Sequence, residues 1–319
     1  MKKTSFNKET LVTTELAKRA ALAAERIRIK GIESVDKEDG SPLTQADIVS
    51  QAIILSGLKK NFPEDRIVAE ETLAPGKETR LGSLAGGLLE ELGVARGHER
   101  LLEWVNYRGN PDGTRTWMVD PIDGTKGFRK GLCYAIAIGL YFRGRPRFGC
   151  MAVPLFPDSD GIGHSSVIAY AGKGTGACLL DHSGRLQSLY VSKTDQIPLA
   201  RLLGSRAHDS SDICGRFGRR TGTGKVQRMD GQAKYLMLAS GRSDLYIRAA
   251  DPVYGIGFTW DHCAGQVILE EAGGMVTDLT GDPLDYESKL EGPLSGLKGM
   301  VASNALCHRE ALEIIGELA

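Results

Sequence analysis

The residues able to do chemistry gather first in Trp117-Met-Val-Asp-Pro-Ile-Asp-Gly-Thr-Lys-Gly-Phe128. A short apolar strand, Trp117–Val119, runs into two carboxylates, Asp120 and Asp123, separated only by Pro-Ile. Like charges held that close repel unless protons or cations compensate them. A hard divalent cation such as Mg²⁺ accepts carboxylate and carbonyl oxygens as ligands. Pro121 fixes φ and brings no N–H, so the Ile122 carbonyl can be presented as a further oxygen. Gly124-Thr125 then offers backbone N–H groups of the kind that hold a phosphate. The competing reading is an ordinary surface turn, because Asp-Gly is a common turn dipeptide. A calcium loop is a poor fit, since its third position needs Asp or Asn and here is Ile122.

The neighbouring elements must deliver partners to this segment. Apolar spacing at Leu11, Val12, Leu16, Ala20 and Ala23 predicts a helix over 8–30. Thr44 can cap a second helix whose apolar side carries Ile48, Ala52, Leu55, Leu58 and Phe62. Ile67–Ala69 reads as a strand ending at Glu70-Glu71. Residues 74–115 read as an insertion with one short helix near Leu84–Leu92. Ala135–Phe142 and Phe148–Val153 read as a hairpin. The Pro, Asp and Gly residues of 154–166 read as a joint between two parts, 1–156 (α+β) and 157–319 (α/β). Beyond it, strands alternate with helices near 232–240, 261–272 and 308–318, as in a layered α/β unit. Acidic residues sit where elements end: Asp39 in the first loop, Glu70 after a strand, and Asp261 opening a helix. Asp261 alone would also pass as an ordinary helix-start residue.

Four segments taken together resemble a family. They are Lys37-Glu-Asp-Gly-Ser-Pro-Leu-Thr-Gln-Ala-Asp47, Val68-Ala-Glu-Glu71, Asp120-Pro-Ile-Asp-Gly-Thr-Lys-Gly-Phe128 and Trp260-Asp-His-Cys-Ala-Gly265. In this order they resemble the magnesium-dependent, lithium-sensitive phosphomonoesterases of the inositol monophosphatase superfamily. Thr-Lys-Gly-Phe after the Asp pair, the insertion, Met229-Asp-Gly-Gln-Ala-Lys-Tyr235 and Tyr246-Ile-Arg248 are most similar to the 3′(2′),5′-bisphosphate nucleotidase branch. The resemblance implies an α-β-α-β-α sandwich of α/β class. It implies that Glu70, Asp120, the Ile122 carbonyl, Asp123 and Asp261 hold two Mg²⁺ ions, with a third, weaker ion near Glu70 and Asp39. It gives Thr125 and Asp39 the attacking water, and Gly124, Thr125, His208, Gly231, Lys234 and Arg248 the substrate. The implied reaction is hydrolysis of the 3′-phosphate of adenosine 3′,5′-bisphosphate to AMP, with 3′-phosphoadenylyl sulfate as a second substrate. The alternatives are an inositol phosphate phosphatase and a metal-dependent ligand sensor without turnover. Gly231 stands where the branch has Ser, so restoring Ser is expected to leave activity equal or to strengthen nucleotide binding slightly. The segment Asp251–Thr259 also lacks the branch's charged residues ahead of the Trp.

Composition fits this picture. Lys+Arg and Asp+Glu are both 40 over 319 residues, so no global field draws the chain to nucleic acid or to an anionic membrane. No apolar run is long enough to span a bilayer, and the start lacks the apolar core of a secretory signal. The six cysteines are scattered with no C-x-x-C pair, as expected of reduced thiols in a cytoplasmic protein. Arg216, Arg219, Arg220, Lys225 and Arg228 form a basic stretch that reads as a solvated loop ahead of a nucleic-acid patch.

Overall fold

The computed structural model describes residues 6–37, 40–73, 80–93, 98–158, 163–206 and 212–318. The chain opens with α1 (Asn7–Lys30), a small hairpin of β1 (Ser34–Asp36) and β2 (Pro42–Thr44), and α2 (Gln45–Asn61). The expected cap at Thr44 is a full capping box. The Thr44 side chain accepts from the N–H groups of Ala46 and Asp47, and Asp47 accepts from the Thr44 N–H. After β3 (Arg66–Ala69) the insertion carries α3 (Arg80–Glu91) and a second helix, α4 (His98–Val105). Then come β4 (Arg115–Asp123), the single turn α5 (Thr125–Phe128), β5 (Ala135–Phe142), β6 (Arg145–Pro157), β7 (His164–Gly172), β8 (Gly176–Asp181) and β9 (Leu186–Ser188).

The strands β3 to β9 form one seven-stranded sheet in sequence order, antiparallel except for the parallel β3–β4 pair. β6 and β7 pair from Phe148↔Gly172 to Pro157↔His164, so the sheet runs through the stretch expected as a joint. A second, five-stranded sheet has the order β11-β10-β12-β14-β13. Its strands are β10 (Leu202–Ser205), β11 (Gln227–Met229), β12 (Leu245–Ala249), β13 (Met275–Asp278) and β14 (Gly299–Ser303). Between them run α6 (Ile213–Thr221), α7 (Ala233–Ala239) and α8 (Cys263–Glu271), and α9 (His308–Leu318) closes the chain.

Alternation along the strands builds three apolar layers. On β4, Trp117 and Val119 face α1 and α2, while Met118 faces the opposite way, toward α7 and α8. That second layer also takes Tyr246, Met300 and Ala302 from the smaller sheet, and so glues the two sheets through α7 and α8. The outer face of the smaller sheet packs Leu202, Leu245, Ile247 and Val301 on Phe217 of α6 and Ala311 and Ile315 of α9. The order is therefore α-β-α-β-α, as expected. All six cysteines are free thiols. Among the described residues, no helix is long and apolar enough to cross a membrane.

Candidate active site

β4 does not end at Val119. It continues through Asp123, and its pairing with β5 slips between Asp120↔Ala137 and Asp123↔Ala135. The slip is a bulge at Pro121-Ile122, where Pro121 has no N–H to give the ladder and the Ile122 N–H turns back to Asp120 Oδ1 at 3.1 Å. The two carboxylates are thereby held at a fixed spacing at the strand end. The parallel pair β3–β4 places Glu70 beside them, with its N–H bonded to the Val119 carbonyl at 3.1 Å. From the other side, a 3₁₀ turn, Thr259–Asp261, directs Asp261 toward the same place just ahead of α8.

Burial and mutual repulsion dominate the electrostatics. Burial, then the charge of Glu70, pushes the Asp120 carboxyl well above its ordinary range. Burial pushes Asp123 up to about 6. Burial, with Asp123 next, pushes Asp261 up to about 7. A set of buried, oxygen-rich acids that resist ionisation fits a hard divalent cation, which supplies the missing positive charge. In this conformation no three acidic, His or Cys side chains among the described residues converge as a closed ligand set. The carboxylates instead take protein donors. The Gln232 N–H reaches Asp123 Oδ2 at 2.7 Å, and the Phe258 N–H reaches Asp261 Oδ2 at 2.8 Å. Lys37 Nζ pairs with Glu70 at 3.1 Å and with Glu71 at 2.8 Å.

Thr125 follows the bulge at the start of α5. Its hydroxyl lies 3.0 Å from the Ile122 carbonyl and 3.4 Å from Asp47 Oδ1. Asp47 is fully buried at the start of α2, and burial, then Glu70, pushes its carboxyl up to about 7. The carboxylate within reach of Thr125 is thus Asp47; Asp39, expected in that role, lies outside the described residues, as does His208. Asp47 stood in the quoted segment, but its capping role gave a sufficient local reason for an acid there. The N–H groups of Gly124, Thr125 and Lys126 have no acceptor among the described residues and face the same cavity.

That cavity, about 570 Å³, is also lined by Gly231, Lys234, Arg248 and the loop before α8. Lys234 is buried, donates to the Gly231 carbonyl at 2.8 Å, and lies 5.1 Å from the centre of the Tyr246 ring. Burial brings its ammonium down to about 8. Arg248, on β12, lines the cavity, and its buried Nε has no hydrogen-bond acceptor among the described residues. Gln232 braces this wall, donating to the Trp260 carbonyl at 2.9 Å and accepting from the Gly265 N–H at 3.0 Å. Glu70, Asp120, Asp123 and Asp261, the Thr125 hydroxyl, and the cations Lys234 and Arg248 are therefore among the groups that line one cavity.

Residues 7–310 match the inositol monophosphatase family. A 3′(2′),5′-bisphosphate nucleotidase of Emericella nidulans is 30% identical, with 98% of each chain covered. One of Schizosaccharomyces pombe is 31% identical, with 88% of each covered. Among solved structures, the Thermotoga maritima IMPase superposes with a TM-score of 0.66 at 21% identity over 96% of each chain. The extragenic suppressor protein suhB of Bartonella henselae gives 0.68 at 20% identity, covering 96% of this chain and 97% of its own. At such identities the structural likeness speaks for the fold.

Proposed function

We propose that this chain, which belongs to the inositol monophosphatase family and is a phosphatase, hydrolyses the 3′-phosphate of adenosine 3′,5′-bisphosphate to AMP and phosphate. The observation that carries the reading is that two cations, Lys234 and Arg248, share the cavity wall next to Asp123 and Asp261. With Mg²⁺ held by the acids, a second anionic group would give those two cations a partner of their own. The full-length similarity to bisphosphate nucleotidases supports the same substrate class. 3′-Phosphoadenylyl sulfate carries its second anion in the corresponding place and is the expected second substrate.

Glu70, Asp120, the Ile122 carbonyl, Asp123 and Asp261 are the groups that would hold Mg²⁺, which supplies Lewis-acid relief of charge on the phosphoryl oxygens when bound. The chain's own residues do the rest. Thr125 orients the water, accepting its proton on Oγ1 while donating its own to Asp47. A hydroxyl alone is too weak a base, and a buried carboxylate raised toward neutral pH suits proton acceptance. The water oxygen bonds to phosphorus, the P–O3′ bond breaks, and the leaving oxygen gains a proton. The N–H groups of Gly124, Thr125 and Lys126, which line the cavity, would receive the phosphoryl oxygens.

The test is kcat/KM for adenosine 3′,5′-bisphosphate, 3′-AMP and inositol 1-phosphate, with Mg²⁺ and after exhaustive chelation, on wild type and Arg248→Ala. A charge-assisted contact is worth about 1.5–3 kcal/mol, so Arg248→Ala should cost roughly 10- to 100-fold on the bisphosphate and far less on the singly phosphorylated compounds. Chelation should abolish all turnover and Mg²⁺ should restore it. Inositol 1-phosphate as the best substrate, with an equal loss on all three in the variant, would replace this reading with the inositol phosphate one.

A further inference from the structure

The loop Asp251–Phe258 between β12 and the 3₁₀ turn has no part in the chemistry above, yet it is built as a rigid aromatic wall of the same cavity. Phe258 and Trp260 stack face to face, centroids 4.6 Å apart and 6° from parallel. Tyr254 leans on Phe258 at 6.1 Å and 37°. All three line the cavity, and both Tyr254 and Phe258 are only partly covered by the protein.

The backbone is tied at several points. Asp251 and Gly255 exchange hydrogen bonds of 2.6 and 2.9 Å, the Leu294 N–H reaches the Gly257 carbonyl at 2.7 Å, and Thr259 Oγ1 reaches the Leu290 carbonyl at 2.9 Å. His262 is buried behind the loop. It joins Tyr235 Oη at 2.7 Å to the Ile256 carbonyl at 2.8 Å, which fixes its proton on Nε2. Gly257 takes φ +103°, and a Cβ there would overlap Asp261 Oδ2 and stand 3.3 Å from Arg248 Nη2. The missing side chain therefore leaves room for the Arg248 guanidinium beside the loop at Gly257. A flat aromatic face half open to a cavity, flanked by Arg248 and Lys234, matches a planar base carrying anions. Base–aromatic stacking is also worth more on a wall that needs no ordering.

We propose that the Tyr254–Phe258 face is the base subsite, on which the nucleobase of the substrate stacks. The inference rests on the bisphosphate nucleotide reading and adds what recognises the base: a π-face, with stacking in place of the charged residues that the resembled branch carries in this segment.

The experiment compares kcat/KM for adenosine 3′,5′-bisphosphate with that for its base-free analogue, 1-O-methylribose 3,5-bisphosphate, in the Mg²⁺-loaded enzyme. Stacking is worth roughly a 5- to 150-fold preference for the nucleotide. Phe258→Ala should shrink that preference several-fold, and Tyr254→Leu should shrink it less. Phe258→Leu, which keeps apolar volume without the ring, should lower it as well and serves if the alanine variant does not fold. Independently of turnover, AMP should quench the emission of Trp260 in wild type more than ribose 5-phosphate does, and Phe258→Leu should diminish the difference. A preference preserved in every variant, with nucleotide turnover intact, overturns the base subsite and leaves the proposed reaction standing. Turnover of inositol 1-phosphate with neither bisphosphate accepted overturns both.

Discussion

Replacing Gly231 by Ser sets the backbone of the site against the logic of its side chains. Gly231 has φ +67°, and a Cβ placed on it would stand 2.6 Å from the Asp123 carbonyl oxygen and 3.2 Å from Asp123 Oδ1. The left-handed conformation costs a non-glycine residue about 1 kcal/mol or more. The overlap is with backbone at the end of a buried strand, which cannot swing away as a flexible side chain would, and such overpacking costs roughly 1–3 kcal/mol. The total is about 2–4 kcal/mol. With an unfolding entropy of about 2.1 cal/mol/K per residue over 319 residues, this lowers Tm by roughly 3–6 °C. The strain also falls on function. The Gln232 N–H holds Asp123 Oδ2 at 2.7 Å, so a displaced turn moves a proposed metal ligand at both of its ends. Gly231→Ser should therefore lower Tm by calorimetry and raise the Mg²⁺ concentration needed for half-maximal activity. This reverses the expectation from resemblance alone, in which Ser would be neutral or helpful. An unchanged Tm together with an improved KM for the nucleotide would refute the steric argument.

Other outcomes follow from the same geometry. Asp47→Asn should lower kcat by about 10²–10⁴ with a much smaller change in KM, because Asp47 would act on the water through Thr125; Asp39→Asn, assayed beside it, tests the role that the resemblance gives to Asp39, a loss in kcat far larger than in binding. Lys234 loses its proton above about pH 8 in the free enzyme, so kcat/KM for the bisphosphate should fall as pH rises from 7 to 9. In Lys234→Arg, whose charge persists, the alkaline limb should move up by more than one pH unit. Mg²⁺ should raise Tm in a concentration-dependent way, since an ion that binds only the folded carboxylate cluster stabilises it by mass action; a Tm indifferent to millimolar Mg²⁺ would contradict the assignment of the cluster.

The elements that sequence made legible are those in which local and tertiary demands agree. The Thr44 cap of α2 lies where capping put it, and of the face expected on α1 Leu16, Ala20 and Ala23 are buried whereas Leu11 is exposed. β3 and β4 pair in parallel, which sets Glu70 beside Asp120 at the strand ends. What escaped notice depends on pairing across distance. β4 runs past Val119 because β5 accepts a bulged partner, and nothing local to Pro121 announces that tolerance. Within the stretch of joint-like composition at 154–166, β6 runs to Pro157 and β7 starts at His164, since the ladder satisfies their backbone groups. The second helix of the insertion is too short for its periodicity to stand out from the surrounding Gly and charge.

Asp47 shows most sharply how a functional group can hide behind a structural one. Its Oδ2 accepts from the Thr44 N–H at 2.8 Å and from Thr44 Oγ1 at 2.5 Å, a complete local explanation for an acid at that place in a helix. Its Oδ1 points the other way, to a hydroxyl 78 positions along the chain. An ordinary capping acid sits in water, where ionisation is free; this one is fully buried and shares its surroundings with Glu70. The cap therefore fixes the carboxylate's orientation while burial sets its basicity, and neither alone would make a proton acceptor. Since the cap hydrogen bonds end on Oδ2, a neutral amide at position 47 can keep an oxygen there and spare most of the helix's stability. The kcat loss in Asp47→Asn should accordingly appear with a Tm shift of no more than a few degrees. A collapse of Tm without a separate catalytic defect in the surviving folded fraction would return Asp47 to a purely structural role.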